Sequence, residues 1–300
     1  MVGAQEIADA EPGCGAEPAA RRGVATLTVM ARERVAEGVV SLTLAHPDGA
    51  RLPDWTPGSH IDVVLPYGTM AFNAFSPRND LVAADAHRTA ELSAWVDGQC
   101  AGEALSEDGF GARIWAAADR GELTHDQAPL VVRSLLTAGV DTTVHGLAAC
   151  RYAFATHPDE RRRLRDRTEL ARVAFDEAVR CQSPVQTFFR TATADVTVAG
   201  TVVPEGTKIL KFLGAANRDP ARWTDPGRFD LRRDPSGHVG FGMGIHQCVG
   251  QHFARLEAEI LLTALAHRID HIELTGTPHR HHKNTLRTWR TLRVRVRPAA

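Results

Sequence analysis

The sequence predicts a mainly α chain with a smaller β portion, opened by a partial antiparallel β-barrel or meander. Three patterns carry this. Apolar and polar residues alternate from Val24 to Leu65, with turn residues between the runs. From about Asp80 to Thr187, Ala-rich segments repeat at helical spacing. Beyond a glycine-rich bend, Val249 to Arg268 is amphipathic at the same spacing and gives a further long helix.

Taken in order, residues 1–23 are rich in Ala, Gly, Pro and acidic residues and read as a disordered leader. Glu37-Gly38, Asp48-Gly49 and Pro57-Gly58 supply the turns of the meander. Pro129 to His157 is one long helical pattern, with a proline suited to its first turn and a stop before Pro158. The Arg161 to Arg163 run reads as a solvated helix face. Glu177 and Arg180 share a helix face at i, i+3. Ser183 to Arg190 ends a helix and begins a strand, and Pro204-Glu205-Gly206-Thr207 turns between strands. Ala216 to Pro220 leads toward the glycine-rich bend. His279, His281 and His282 sit among basic residues in an exposed C-terminal loop.

Composition narrows the function. A chain of 300 residues has ample length for a core, and a net charge of −1 gives no sign of nucleic-acid binding. The apolar stretch around 134–150 is broken by Asp141 and His145, so it is no membrane span. Five cysteines, Cys14, Cys100, Cys150, Cys181 and Cys248, have irregular spacing and form no disulfide framework; a reducing cytoplasm suits them.

The chemistry concentrates at residues 241–250, Phe-Gly-Met-Gly-Ile-His-Gln-Cys-Val-Gly. A thiolate on a glycine-shaped bend at a helix start can be offered to an iron from one side. The small residues let backbone lie against a flat macrocycle, and the helix N-terminus favours the anion. Other readings compete: a buried cysteine acting as a small hydrophobe, a phosphate loop, or a zinc site with His238, His246 and His252. No Lys-Ser or Lys-Thr follows the glycines, and no Cys-x-x-Cys or Cys-x-x-His unit accompanies the cysteine.

The pattern Phe241-x-x-Gly244-x-His246-x-Cys248-x-Gly250 resembles the heme-ligand signature of the cytochrome P-450 family. From about Tyr67 onward the chain resembles the later part of bacterial members, most of all those oxidising para-substituted aromatic acids. The resemblance implies a cytochrome P-450 fold over 67–300 lacking its N-terminal helical half. It implies heme b (iron protoporphyrin IX), with Cys248 as axial iron ligand and Phe241 and Gly242 at the ligand loop. Ala138-Gly139-Val140-Asp141-Thr142-Thr143 matches the oxygen-activating helix: Ala138 and Gly139 leave room at the heme face, and Asp141 and Thr142 form an acid–alcohol pair that relays protons. Arg190 and His246 match propionate contacts. Glu177, Arg180 and Arg228 match a structural triad that braces the cysteine loop. Phe72, Asn73, Phe75, Val185 and Phe188 border the substrate pocket by the same resemblance. Near the C-terminus Thr285-Leu286-Arg287 matches a family turn, with Thr288 where glycine is expected.

Residues 24–66 resemble the opening strands of the flavin-binding barrel of ferredoxin-reductase-type proteins, through Gly38-Val39-Val40-Ser41-Leu42-Thr43-Leu44 and Pro57-Gly58-Ser59-His60-Ile61-Asp62-Val63. The Arg-x-Tyr-Ser flavin motif of that family is absent, so no flavin is expected to bind. The implied activity is monooxygenation: one atom of O2 enters a small organic substrate, by hydroxylation or O-demethylation of an aromatic acid. Electrons would come from a separate 2Fe-2S ferredoxin and an NAD(P)H-dependent ferredoxin reductase, in the cytoplasm, with no membrane or nucleic-acid partner. The alternative is a rearranged, non-catalytic product that binds heme weakly or not at all.

Overall fold

A computed structural model describes residues 28–36, 39–45, 48, 83, 86–107, 109–139 and 141–299. The leader, the third strand run with Pro57 to Val63, the junction at Tyr67, Phe72, Asn73 and Phe75 lie outside the described residues.

The chain divides into two units, Met1–Val64 and Leu65–Ala300. In the first, β1 (Thr28–Ala36) and β2 (Val39–Ala45) pair antiparallel, with Ala36 opposite Val39 across the Glu37-Gly38 position.

The second unit is mainly helical. It runs α1 (Thr89–Gln99), α2 (Phe110–Asp119), α3 (Ala128–Ala138), α4 (Asp141–Thr156), α5 (Pro158–Asp166) and α6 (Ala171–Gln182). Strands β3 (Thr187–Thr191), β4 (Val196–Val198), β5 (Thr201–Val203) and β6 (Lys208–Phe212) follow, then a short α7 (Leu213–Ala216). After the glycine-rich bend come α8 (Gln251–Arg268), β7 (Ile269–Leu274), β8 (His279–His282), β9 (Arg287–Thr291) and β10 (Val294–Pro298). The strands pair two by two, antiparallel: β3 with β6, β4 with β5, β7 with β10, and β8 with β9.

Local chemistry explains several boundaries. Pro158 opens α5, Asp159 and Glu160 sit at its positive end, and Arg163 and Arg165 at its negative end. α6 stops at Ser183, which takes a left-handed conformation with φ 42°. Its hydroxyl donates to the Arg180 carbonyl and accepts from Asn217 Nδ2. Ala199 and Gly200, both at positive φ, close the β4–β5 hairpin in two residues. The expected turn at 204–207 lies between β5 and β6, with Gly206 at φ 78°.

The core lies where α6 packs between α4 and α8. Small residues at the seam, Ala149, Ala153, Ala174, Ala178, Ala258 and Ala266, allow close approach, and Phe154, Phe175 and Leu262 fill the remaining space.

Three expectations need correction. The single helix expected over Pro129 to His157 is two helices, parted after Ala138. Thr142 Oγ1 donates to the Ala138 carbonyl at 2.8 Å, taking the acceptor that the backbone ladder would use. Arg161 is no solvated residue: it is 3 % exposed and donates to the Leu265 and Ile269 carbonyls, where α8 ends. The negative end of that helix draws it inward. His279 to His282 form strand β8, because cross-strand pairing with β9 suits a polar segment that carries no hydrophobic signal.

Candidate functional site

Residues 238–250 form a tight bend ahead of α8. Gly242 and Gly244 take φ 73° and 64°, a conformation that side chains resist. The Cys248 amide donates to the Phe241 carbonyl at 2.8 Å, closing the bend. Cys100, Cys150 and Cys181 are buried, whereas Cys248 is exposed. α8 then begins at Gln251 with Gly250 as its N-cap and no side chain on its first amides. The cysteine therefore stands at the positive end of a helix, presented outward.

What holds the bend is an aromatic and ionic clamp. Phe241 has the Arg255 guanidinium 4.4 Å from its ring centroid, with the His238 ring at 5.6 Å and the Phe175 ring at 6.3 Å. Arg255, from α8, pairs with Asp176 of α6 at 2.8 Å. Behind it Glu177 and Arg180, both fully buried, make a two-pronged pair at 2.7 and 2.8 Å. Arg180 also donates to the carbonyls of Asn217, Pro226 and Arg228.

The expected triad is thereby corrected. The Arg228 side chain is half exposed and points to Asp230 at 3.9 Å, so Arg228 contributes its carbonyl only. The second guanidinium on Glu177 is Arg233, at 3.2 Å. Arg232-Arg233, five residues downstream, was the available signal. The clamp residues Asp176 and Arg255 carry no sequence signal, because neither belongs to a spaced motif.

At the break between α3 and α4, Asp141 has a buried carboxylate oxygen, Oδ2, without a hydrogen-bond partner. Burial raises its affinity for a proton, against the opposing Lys283 charge. One turn on, His145 Nε2 is likewise buried and unpartnered. Burial, then Lys283 and His281, push its pKa down to about 4. In the sequence His145 is only a polar interruption of an apolar stretch. Two orphaned polar atoms on one helix face mark a place where water or a ligand atom belongs.

The remaining predicted residues spread over neighbouring elements. Arg190, half-buried on β3, donates to the Phe189 carbonyl and lies over the Phe188 ring at 5.9 Å. Phe188 is exposed. Val185 bridges to Leu286, joining the start of β3 to the C-terminal hairpin. His246 is exposed in the bend.

A heme needs an open axial sulfur, apolar surface and cations for two carboxylates. Cys248 is open, and Ile245 and Val249 flanking it are 98 % and 79 % exposed. Arg190 and His246 are candidate donors to those carboxylates. The residues present fit the group. Among the described residues no helix is long and apolar enough to cross a membrane.

The sequence profile of the Cytochrome P450 family matches residues 110–294, more than half of the chain. The chain belongs to the cytochrome P450 family. It is 54% identical over 236 residues to cytochrome P450 CYP199A2 of Rhodopseudomonas palustris, covering 79% of this chain and 57% of that protein. It is 40% identical over 161 residues to the cytochrome P450 monooxygenase PikC of Streptomyces venezuelae, 53% of this chain and 39% of the relative. Among solved structures, CYP164A2 of Mycobacterium smegmatis with econazole bound superposes with a TM-score of 0.67 at 29% identity, over 77% of this chain and 60% of that one. The P450 chain thus spans little more than half the length of CYP199A2.

Proposed function

We propose that this chain carries the heme-binding and oxygen-activating part of a bacterial P450 monooxygenase acting on a small aromatic acid. The observation that carries the reading is the outward presentation of Cys248 on a braced bend at the start of α8. Bound heme would supply iron redox chemistry toward O2. Cys248 would hold the iron, Phe241 and Gly242 would shape the sulfur side, and Ala138 and Gly139 would leave space opposite. Arg190 and His246 would hold the propionates by charge-assisted hydrogen bonds.

Asp141 and Thr142 act as a proton pair. Because the Thr142 hydroxyl donates to Ala138, its own lone pairs are left to accept, and the helix is opened beside it. A buried carboxyl that keeps its proton more firmly than usual is suited to hand it on. Val185 and Phe188 would border the substrate, with Phe72, Asn73 and Phe75. Electrons would arrive from a 2Fe-2S ferredoxin and its NAD(P)H-dependent reductase in the cytoplasm. The 54% identity to CYP199A2 supports the placement among bacterial P450s.

We read residues 24–66 as a fragment of a reductase-type barrel that binds no flavin, and 67–300 as the P450 part. The β1–β2 hairpin supports the first half of that division.

A second reading, a non-catalytic product, is favoured by the apolar faces of α3 and α8. Leu130, Val131 and Leu135 on one, and Phe253, Leu256 and Ile260 on the other, are exposed.

Turnover of a para-alkyl benzoate under 18O2, with a ferredoxin pair, separates the two. One labelled oxygen in the alcohol product supports monooxygenation. Weak or no heme uptake, with no labelled product, supports the second reading.

A further inference from the structure

Three guanidiniums converge behind the C-terminus of α6, and among the described residues no carboxylate answers them. Arg280, on β8, lies 3.2 Å from the Trp289 ring centroid and 5.7 Å from that of Tyr152, and donates to Gln182 Oε1 at 2.8 Å. Arg218 donates to the Cys181 carbonyl through both Nε and Nη2. Arg287 stands at the head of β9, where its amide donates to the Pro184 carbonyl. All three side chains are half-buried.

Elsewhere in this unit, several half-buried arginines are paired, Arg163 with Glu160, Arg233 with Glu177, and Arg255 with Asp176, while Arg190 stands without a carboxylate among the described residues. Among the described residues none of Arg218, Arg280 and Arg287 makes an ion pair. Burial first, then the Arg287 and Arg218 charges, pull the Arg280 guanidinium down to about 10. Burial and Arg218 likewise lower Arg287. The end of α6 supplies only roughly half a negative charge, against three positive ones. Gathering like charges out of water is unfavourable unless something neutralises them.

We propose that Arg218, Arg280 and Arg287 form a binding site for an oxoanion, a carboxylate or a phosphate group. The chemistry favours that class. A guanidinium offers a planar fork of N–H donors that matches two oxygens of such a group. Stacking on Trp289 and the bond to Gln182 fix the Arg280 plane before any ligand arrives, which lowers the entropic cost of binding. The site involves neither Cys248 nor Asp141 and stands independently of the heme reading.

Isothermal calorimetry on the full chain tests it, with inorganic phosphate and benzoate titrated separately at matched ionic strength. Saturable heat with either anion, weakened at least tenfold in Arg287→Gln and unchanged in Arg162→Gln, is the expected result. The arm that saturates tells phosphate from carboxylate. In chloride alone, Arg287→Gln should also unfold at a higher temperature than the parent, because repulsion is relieved and no ion pair is lost. Arg287→Lys keeps the charge without the fork and should fall between the two. No saturable heat with either anion, or binding retained in Arg287→Gln, overturns the proposal. An equal loss of stability in Arg287→Gln with and without phosphate also overturns it, since Arg287 would then be purely structural.

Discussion

Gly146 of α4 lies against the ring of Phe175 on α6, where an added Cβ would stand 2.8 Å from Phe175 Cε2. The same ring faces Phe241 of the cysteine bend at 6.3 Å. One phenylalanine therefore ties the helix bearing Asp141 and Thr142 to the loop bearing Cys248. The spacing between α4 and the cysteine bend is set by packing, ahead of any ligand.

Gly146→Ala should destabilise the chain by about 1–3 kcal/mol, the usual cost of overpacking. Phe175→Leu in the same chain should recover part of that loss. Urea denaturation of the single and double variants measures it; additive losses would show that the two residues do not press on one another.

Removing one partner of a buried ion pair costs about 3–5 kcal/mol. Glu177→Gln should therefore lose stability on that scale, since Glu177 faces both Arg180 and Arg233. Arg233→Ala should be clearly destabilising, and Arg228→Ala close to neutral. If Arg228→Ala proved the more damaging, the reassignment of the triad would be wrong.

Acid should weaken the fold through His145. Its pKa is about 4 when folded against 6.5 in an ordinary histidine. Unfolding thus takes up a proton as pH falls below 6.5, and stability is lost down to about 4, by about 3 kcal/mol at most. Asp141 works in the opposite sense, because its raised pKa favours the folded state at low pH and that benefit fades as pH rises. His145→Asn removes the first effect alone. It should match the parent above neutrality and exceed it near pH 4; parallel pH profiles would refute the burial of His145.

With the heme-loaded chain and a ferredoxin pair, Thr142→Ala should raise hydrogen peroxide release several-fold per electron consumed and lower product to match. The hydroxyl opens the helix at Ala138, and the proposed function makes it the proton partner of Asp141. Unchanged coupling removes the proton-pair assignment.

Much of this was legible because spaced, chemically distinctive residues carried it. The bend at 241–250, the buried Glu177–Arg180 pair and the start of β3 at Thr187 were all read from pattern. What escaped has a common cause. Arg233, Asp176, Arg255 and the buried Arg161 owe their roles to partners 50 or more residues away, which no local pattern reports. The break after Ala138 escaped for another reason: the Thr142 hydroxyl competes for a single carbonyl inside an otherwise continuous helical pattern. Strand β8 carries polar residues throughout, so its pairing with β9 left no hydrophobic trace.

The most direct measurement is the carbon monoxide difference spectrum of the reduced, heme-loaded chain. A Soret band at the position of a thiolate-ligated heme, lost in Cys248→Ala, is expected. Heme uptake without that band, or the same band in Cys248→Ala, would contradict the role of Cys248 as the sulfur ligand.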